Sequence, residues 1–78
     1  MTLADLAPAQ QATLLTIGGD RAFRRRLMEL GFVPGTRVEL RKVAPLGDPL
    51  EFGVRGGSVS IRRREAAAIA VRAGGPVK

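Results

Sequence analysis

The spacing of apolar residues predicts one amphipathic helix in the first half of the chain. Phe23, Leu27 and Leu30 recur at positions i, i+4 and i+7, which places them on one helical face. This pattern predicts a helix over residues 21–30 with those three side chains directed inward. The opposite face then carries Arg21, Arg25 and Met28, and we expect these side chains to point to solvent.

Turn-forming residues mark both ends of this helix. Asp20 is a good N-cap, since its carboxylate can accept a hydrogen bond from a free backbone N–H of the first turn. Gly31 can close the last turn in the left-handed conformation that other residues avoid. Residues 33–36 place proline and glycine at the two central positions of a type II turn, which leads into a strand.

Five other segments are predicted to be strands, because their apolar residues alternate with polar ones or form short runs. They span residues 11–17, 37–43, 51–55, 58–62 and 68–72. The first strand is expected to be partly buried on both faces, and the inward residues of the others are Val38, Leu40, Leu50, Phe52, Val54, Val59, Ile61, Ile69 and Val71. Gly56-Gly57 is predicted to be the two-residue turn of a hairpin. Short helical turns are predicted at residues 2–5 and 63–67.

These elements predict a mainly β fold. Five short strands are too few for a sandwich but enough for a small, partly open barrel with the single helix covering an opening. The length of 78 residues corresponds to one domain. We expect that domain to span residues 1–73 and residues 74–78 to form a flexible tail.

Charge is the unusual feature of the composition. Thirteen basic residues stand against seven acidic ones, for a formal net charge of +6, and eleven of the thirteen are arginine. Such a charge favours anionic partners, which include nucleic acid, an acidic protein surface and an anionic membrane leaflet. A GC-rich genome would also enrich arginine, so the charge by itself does not identify a partner.

The residue types that are missing exclude several kinds of chemistry. The chain contains no histidine, cysteine, tyrosine or tryptophan. It therefore lacks the usual nucleophile and base pairs of covalent catalysis and the preferred ligands of zinc and ferrous iron. Asp48 and Glu51 are neighbouring carboxylates, but Asp48 between glycine and proline is more simply a turn former. We expect neither enzymatic activity, nor a bound cofactor, nor a metal site.

A cluster of basic residues on the predicted helix is one candidate for a binding surface. Arg21, Arg24, Arg25 and Arg26 form either a docking patch or a merely solvated surface. Met28 favours docking, because an exposed, flexible thioether among arginines suits an adaptable contact. The other basic residues, Arg41-Lys42 and residues 62–64, lie near strand ends. Whether they join the helix patch depends on how the barrel closes.

The loop at residues 44–50 carries a second candidate, Leu46. An apolar residue at a loop tip either packs over the end of the barrel or is available to a partner. We expect the first arrangement and keep Leu46 as a candidate partner contact. Phe23, Phe32 and Phe52 are expected in the core, since a domain of this size has few large apolar side chains.

Several segments, in order, resemble the FeoA family of small bacterial proteins that accompany the ferrous iron transporter FeoB. They are Arg26-Leu27, Glu29-Leu30-Gly31-Phe32, Pro34-Gly35-Thr36, residues 44–50, Val54-Arg55-Gly56 and Ile61-Arg62. The resemblance covers roughly residues 3–71. It implies an SH3-like barrel with one helix inserted after the first strand.

The resemblance also implies a function. A FeoA-like protein would be a non-enzymatic, cytoplasmic accessory that binds and modulates the cytoplasmic part of FeoB. It would be peripheral to the membrane only through this partner, in line with the absence of a signal peptide or a long apolar run in the sequence. The alternative is a small basic barrel that binds nucleic acid, although no surface aromatic is predicted for base stacking. The sequence does not indicate an oligomeric state or a mechanism of action on the transporter.

Overall fold

Five antiparallel strands and two helices account for most of the chain in the computed structural model, which describes residues 1–74. In chain order the elements are a 3₁₀ turn Leu3–Asp5, β1 Gln11–Ile17, α1 Arg21–Glu29, β2 Arg37–Val43, β3 Leu50–Val54, β4 Gly57–Ile61, α2 Arg63–Ala66 and β5 Ile69–Ala73. The mainly β class and all five predicted strands are confirmed, with bounds that differ by at most one residue. The predicted tail, apart from Gly74, lies outside the described residues.

The strands form one sheet in the order β4-β3-β2-β1-β5. Two irregularities interrupt its pairing. The register shifts between Leu14 and Thr16 on β1, and again between Leu40 and Lys42 on β2. Extra residues of this kind bend a strand and increase its twist, which lets a short sheet curve around its own core. The strand residues predicted to face inward are buried, except that Val59 is partly buried against the core.

Helix α1 ends at Glu29, one residue earlier than predicted, and closes through glycine. Gly31 has a φ of +100°, and its N–H donates to the carbonyl of Met28 at 3.1 Å. The N–H of Phe32 donates to the carbonyl of Leu27 at 2.9 Å, which completes a Schellman motif. Phe32 and Leu27 are both fully buried, so the chain leaves the helix directly into the core.

The prediction that Leu30 faces inward is wrong. Leu30 is the C-cap of α1 and is 49% exposed. The i, i+7 spacing holds only while the helix continues, and here the backbone has already left helical geometry (φ −86°, ψ 0°). The core is instead supplied by Phe32, two residues later.

The hairpin turn between β3 and β4 lies one residue earlier than predicted. Its central residues are Arg55 (φ +49°) and Gly56 (φ +81°), and Val54 pairs with Gly57. Positive φ at both central positions is the geometry that matches the twist of the flanking strands. Glycine is therefore needed at position 56, while Gly57 serves as the first residue of β4.

The start of the chain is fastened to the last strand. Asp5 accepts a hydrogen bond from the backbone N–H of Thr2 at 2.8 Å, as the predicted cap requires. Thr2 also forms a β-bridge with Ala70 of β5, and Val71 donates to the carbonyl of Met1. Over residues 1–74, none of the helices is both long and apolar enough to cross a membrane.

Replacement of Gly31 tests the helix end. Gly31→Val should lower the free energy of unfolding by more than about 1 kcal/mol, because a β-branched residue is strained at this φ. A Cβ at position 31 would also lie 3.3 Å from Cδ of Arg55. Gly31→Asn is the control, since asparagine tolerates the left-handed region and should cost less. Thermal and urea unfolding measure both variants, and equal stability of the wild type and Gly31→Val would contradict this account.

Candidate partner-binding surface

The outward face of α1 borders a surface groove. The groove is lined by side chains from α1, from the end of β1 and from the turn that precedes β2, namely Ile17, Arg21, Arg24, Arg25, Met28 and Pro34, together with Thr16 and Glu29. Three of these residues are apolar, one from each element, and three are arginines of α1. Four predicted candidates, Arg21, Arg24, Arg25 and Met28, are therefore brought together.

The orientation of α1 follows from the side chains that it buries. Leu27 is fully buried, and Phe23 packs partly buried against the core. Asp20 caps the first turn, where its Oδ1 accepts from the N–H of Phe23 at 2.8 Å. With this stripe inward, Arg25 and Met28 must face solvent, and Met28 is 52% exposed. The predicted N-cap and the outward face are confirmed.

Two apolar residues of the groove, Ile17 and Pro34, were not predicted from the sequence as parts of a binding surface. They meet because the type II turn is hydrogen-bonded to β1: Gly35 donates to the carbonyl of Leu14 at 2.7 Å, and Leu14 donates to the carbonyl of Thr36 at 2.8 Å. The sequence contains a signal for the turn itself. Nothing in it indicates that the turn docks beside the end of the first strand.

Arg26 differs from the other arginines of α1. Its guanidinium lies 3.9 Å from the carboxylate of Glu65 on α2, and 5.8 Å from the centre of the Phe23 ring. It is thus directed away from the groove and toward α2. This is the one ion pair within residues 1–74, so the three groove arginines form none there, although the carboxylate of Glu29 lines the same groove.

The remaining basic residues divide between the surface and internal contacts. Arg41 lies against Gly53 in a second groove, which shares Pro34 with the first. Arg62 shares a shallow concavity with Arg26. Arg63 donates its side-chain hydrogen bonds to backbone carbonyls, which leave its positive charge in place. The positive surface therefore extends beyond the helix.

Leu46 is 96% exposed, and the expectation that it packs over the end of the barrel is wrong. The loop that carries it closes on itself. Gly47 donates to the carbonyl of Ala44 at 2.7 Å, and Ala44 donates to the carbonyl of Pro49 at 3.1 Å. These bonds form a tight turn that holds Leu46 at its tip, away from the core.

The two neighbouring carboxylates, Asp48 and Glu51, have different surroundings. Oδ1 of Asp48 accepts from the backbone N–H of Arg63 at 2.9 Å, which fits the interpretation of Asp48 as a residue of the turn. Glu51 lies on β3 opposite Ser60. Within residues 1–74, no three potential ligand side chains gather around one point.

A family model described as the FeoA domain matches residues 1–73. The chain belongs to the FeoA family. Its curated relatives include the Fe(2+) transport protein A/Fe(2+) transporter FeoB fusion protein of Porphyromonas gingivalis, which is 38% identical over 71 residues. That match covers 91% of this chain but only 8% of the fusion protein.

Solved structures of FeoA proteins share the fold. The solution structure of FeoA from Chlorobium tepidum is 38% identical, with a TM-score of 0.90 over 94% of this chain and 70% of that chain. The crystal structure of Stenotrophomonas maltophilia FeoA, described as complexed with zinc and as a prokaryotic SH3 domain protein, is 33% identical. Its TM-score is 0.79, over 91% of this chain and 88% of that chain. The predicted five-stranded SH3-like barrel with one inserted helix is thus confirmed.

The lack of histidine and cysteine side chains leads to a prediction about metal binding. Without histidine or cysteine, the purified protein should bind neither ferrous iron nor zinc tightly at neutral pH. Isothermal titration calorimetry under anaerobic conditions measures this, with an EDTA-treated sample as the control. A stoichiometric site of micromolar affinity or better would contradict the prediction.

Proposed function

We propose that this protein is a non-enzymatic, cytoplasmic accessory of bacterial ferrous iron uptake. It binds the cytoplasmic part of a FeoB-type transporter and modulates it. The binding surface is the groove beside α1, with Arg21, Arg24, Arg25 and Met28 as its main contacts. Iron itself would be handled by the transporter, because this chain lacks the ligands that iron prefers.

The observation that carries this proposal is the fusion in Porphyromonas gingivalis. There a homologous FeoA segment is joined to FeoB in one polypeptide. Fusion holds two domains at a high effective concentration, which favours a direct contact between them. A separate FeoA chain would have to make that contact by its own affinity.

The groove has the properties that such a contact requires. Its apolar side chains offer area that can be buried, and its arginines attract an acidic surface and fix its orientation. Helix α1 is held by buried Leu27 and by the caps at both ends. It therefore loses little further conformational entropy on binding. We therefore expect an acidic surface with a small apolar centre on the transporter.

Nucleic-acid binding is not favoured as the alternative. Single-strand recognition depends largely on exposed aromatic rings that stack on bases. Phe32 and Phe52 are fully buried, and Phe23 packs against the core. The chain has no tyrosine or tryptophan to replace them. What remains is the general attraction of a basic protein for polyanions.

Binding to mixed-sequence RNA and DNA tests this alternative. We expect a dissociation constant of about 10⁻⁴ M or weaker at physiological salt, and a further loss of affinity as salt rises. Fluorescence anisotropy over a salt series measures it. Submicromolar binding that depends on sequence would favour the nucleic-acid function instead.

A variant that replaces a positive and an apolar side chain of the groove with carboxylates tests the contact with the transporter. Arg25→Glu combined with Met28→Asp should leave the fold intact, because both side chains are exposed, and should abolish association with FeoB. Iron uptake should fall in cells that carry only this variant. Circular dichroism checks folding, and a pull-down with full-length FeoB in detergent measures binding.

A charge-matched variant serves as the control. Arg72→Glu with Ser58→Asp lowers the net charge by the same amount, but on exposed positions of β5 and β4. It should bind nearly as well as the wild type. If the groove variant also binds normally while folded, the helix face is only a solvated surface.

A further inference from the structure

The loop between β2 and β3 presents an apolar side chain that the proposed groove does not use. Leu46 at its tip is 96% exposed, whereas the next most exposed large apolar side chain in residues 1–74, Met28, is 52% exposed. Single exposed leucines are common on protein surfaces and need no explanation by themselves. Leu46 differs from such residues because hydrogen bonds from Arg63 hold the backbone of its loop.

A single arginine holds the loop in place. Nε and Nη2 of Arg63 both donate to the carbonyl of Gly47, at 3.2 and 3.1 Å. Nη1 donates to the carbonyl of Ala4 in the 3₁₀ turn at 3.3 Å, and the backbone N–H donates to Asp48 at 2.9 Å. The side chain thus joins the loop to the 3₁₀ turn, whose Ala4 lies 59 residues before Arg63 in the sequence.

These hydrogen bonds are directed at the residues that follow Leu46. The carbonyl of Gly47 and the carboxylate of Asp48 are fixed on one side, and the Ala44–Gly47 turn is closed on the other. The backbone at the tip is therefore ordered before any partner arrives. A pre-ordered loop loses less conformational entropy on binding than a mobile one.

The surface around the loop is continuous with α1. Pro49, which ends the loop, and Arg26 of α1 line the same shallow concavity, together with Arg62 and Glu65. Lys42 precedes the loop in sequence and Arg62 follows β4; both are exposed, and Glu65 in the concavity offsets part of their positive charge. The same kind of partner that suits the groove, an acidic protein surface with an apolar centre, therefore suits the loop as well.

We propose that Leu46 is a second apolar anchor for the FeoB-type partner, and that Arg63 is the positioning residue that holds it ready. The inference rests on the proposed function for the identity of the partner. On that partner, Leu46 enters an apolar pocket bordered by carboxylates. The partner would thus contact two sites on this domain, the groove beside α1 and the tip of the β2–β3 loop.

Four variants of the full-length chain test the anchor, with full-length FeoB in nanodiscs as the probe and surface plasmon resonance as the measurement. Leu46→Ser should weaken binding roughly tenfold or more, mainly through a faster dissociation rate. Leu46→Met keeps an apolar side chain of similar volume and should bind nearly as the wild type does. Leu15→Ser removes another exposed leucine, 45% exposed on β1, and should have little effect. Arg63→Ala should weaken binding to a smaller extent than Leu46→Ser.

The positioning role has its own readout. In Arg63→Ala, amide hydrogen exchange should accelerate at Ala44 and Gly47, whose N–H groups close the loop, while exchange in the strands stays slow. The double variant Leu46→Ser with Arg63→Ala should bind no more weakly than Leu46→Ser alone, because Arg63 acts through the anchor. Fully additive losses would show that Arg63 has only a general structural role.

The outcomes separate this inference from the proposed function. If Leu46→Ser binds normally while Arg25→Glu with Met28→Asp does not, the anchor is wrong and the groove stands. If Leu15→Ser weakens binding as much as Leu46→Ser, the effect is a general loss of apolar surface and the anchor is also wrong. If the wild type does not bind FeoB, both proposals fail.

Discussion

The burial of one stripe of α1 is the interaction on which the candidate surface depends. Leu27 lies fully buried beneath the helix, and the chain returns through Gly31 so that Phe32 enters the same core. Full burial of a leucine contributes about 2 kcal/mol, a large share of the stability of so short a domain. Once this stripe faces inward, the helical period leaves Arg25 and Met28 outside. The chemistry of the surface is thus a consequence of the packing below it.

The arginines of this chain have different roles because their structural neighbours differ. The guanidinium of Arg63 donates hydrogen bonds to backbone carbonyls, and that of Arg26 lies beside the carboxylate of Glu65. Arg24 and Arg25 line the groove and form no ion pair in the described part of the chain. The net charge of +6 is therefore shared among arginines with different surroundings.

A domain that keeps its aromatic rings in the core must bind partners by other means. Here two of the three phenylalanines are fully buried, and the exposed apolar area comes from flexible or aliphatic side chains such as Met28 and Leu46. Methionine adapts to an irregular surface, while arginine supplies charge and directed hydrogen bonds. This combination suits contact with an acidic protein surface better than stacking on bases.

The sequence alone determined the elements, because period, caps and turn residues act over a few neighbouring positions. It determined that Asp20 is the N-cap, that Gly31 closes the helix and that Met28 is exposed. Each of these features depends only on residues within one or two helical turns. Tertiary structure decided the exposure of Leu46 and the joining of Ile17 to the helix face. The position of Ile17 depends on hydrogen bonds between β1 and the turn before β2, and the exposure of Leu46 on the closed turn of its loop together with the contacts of Arg63. No local pattern encodes the long-range members of this set. The inward orientation expected for Leu30 failed for a related reason, because the helical period stops where the backbone turns to bury Phe32.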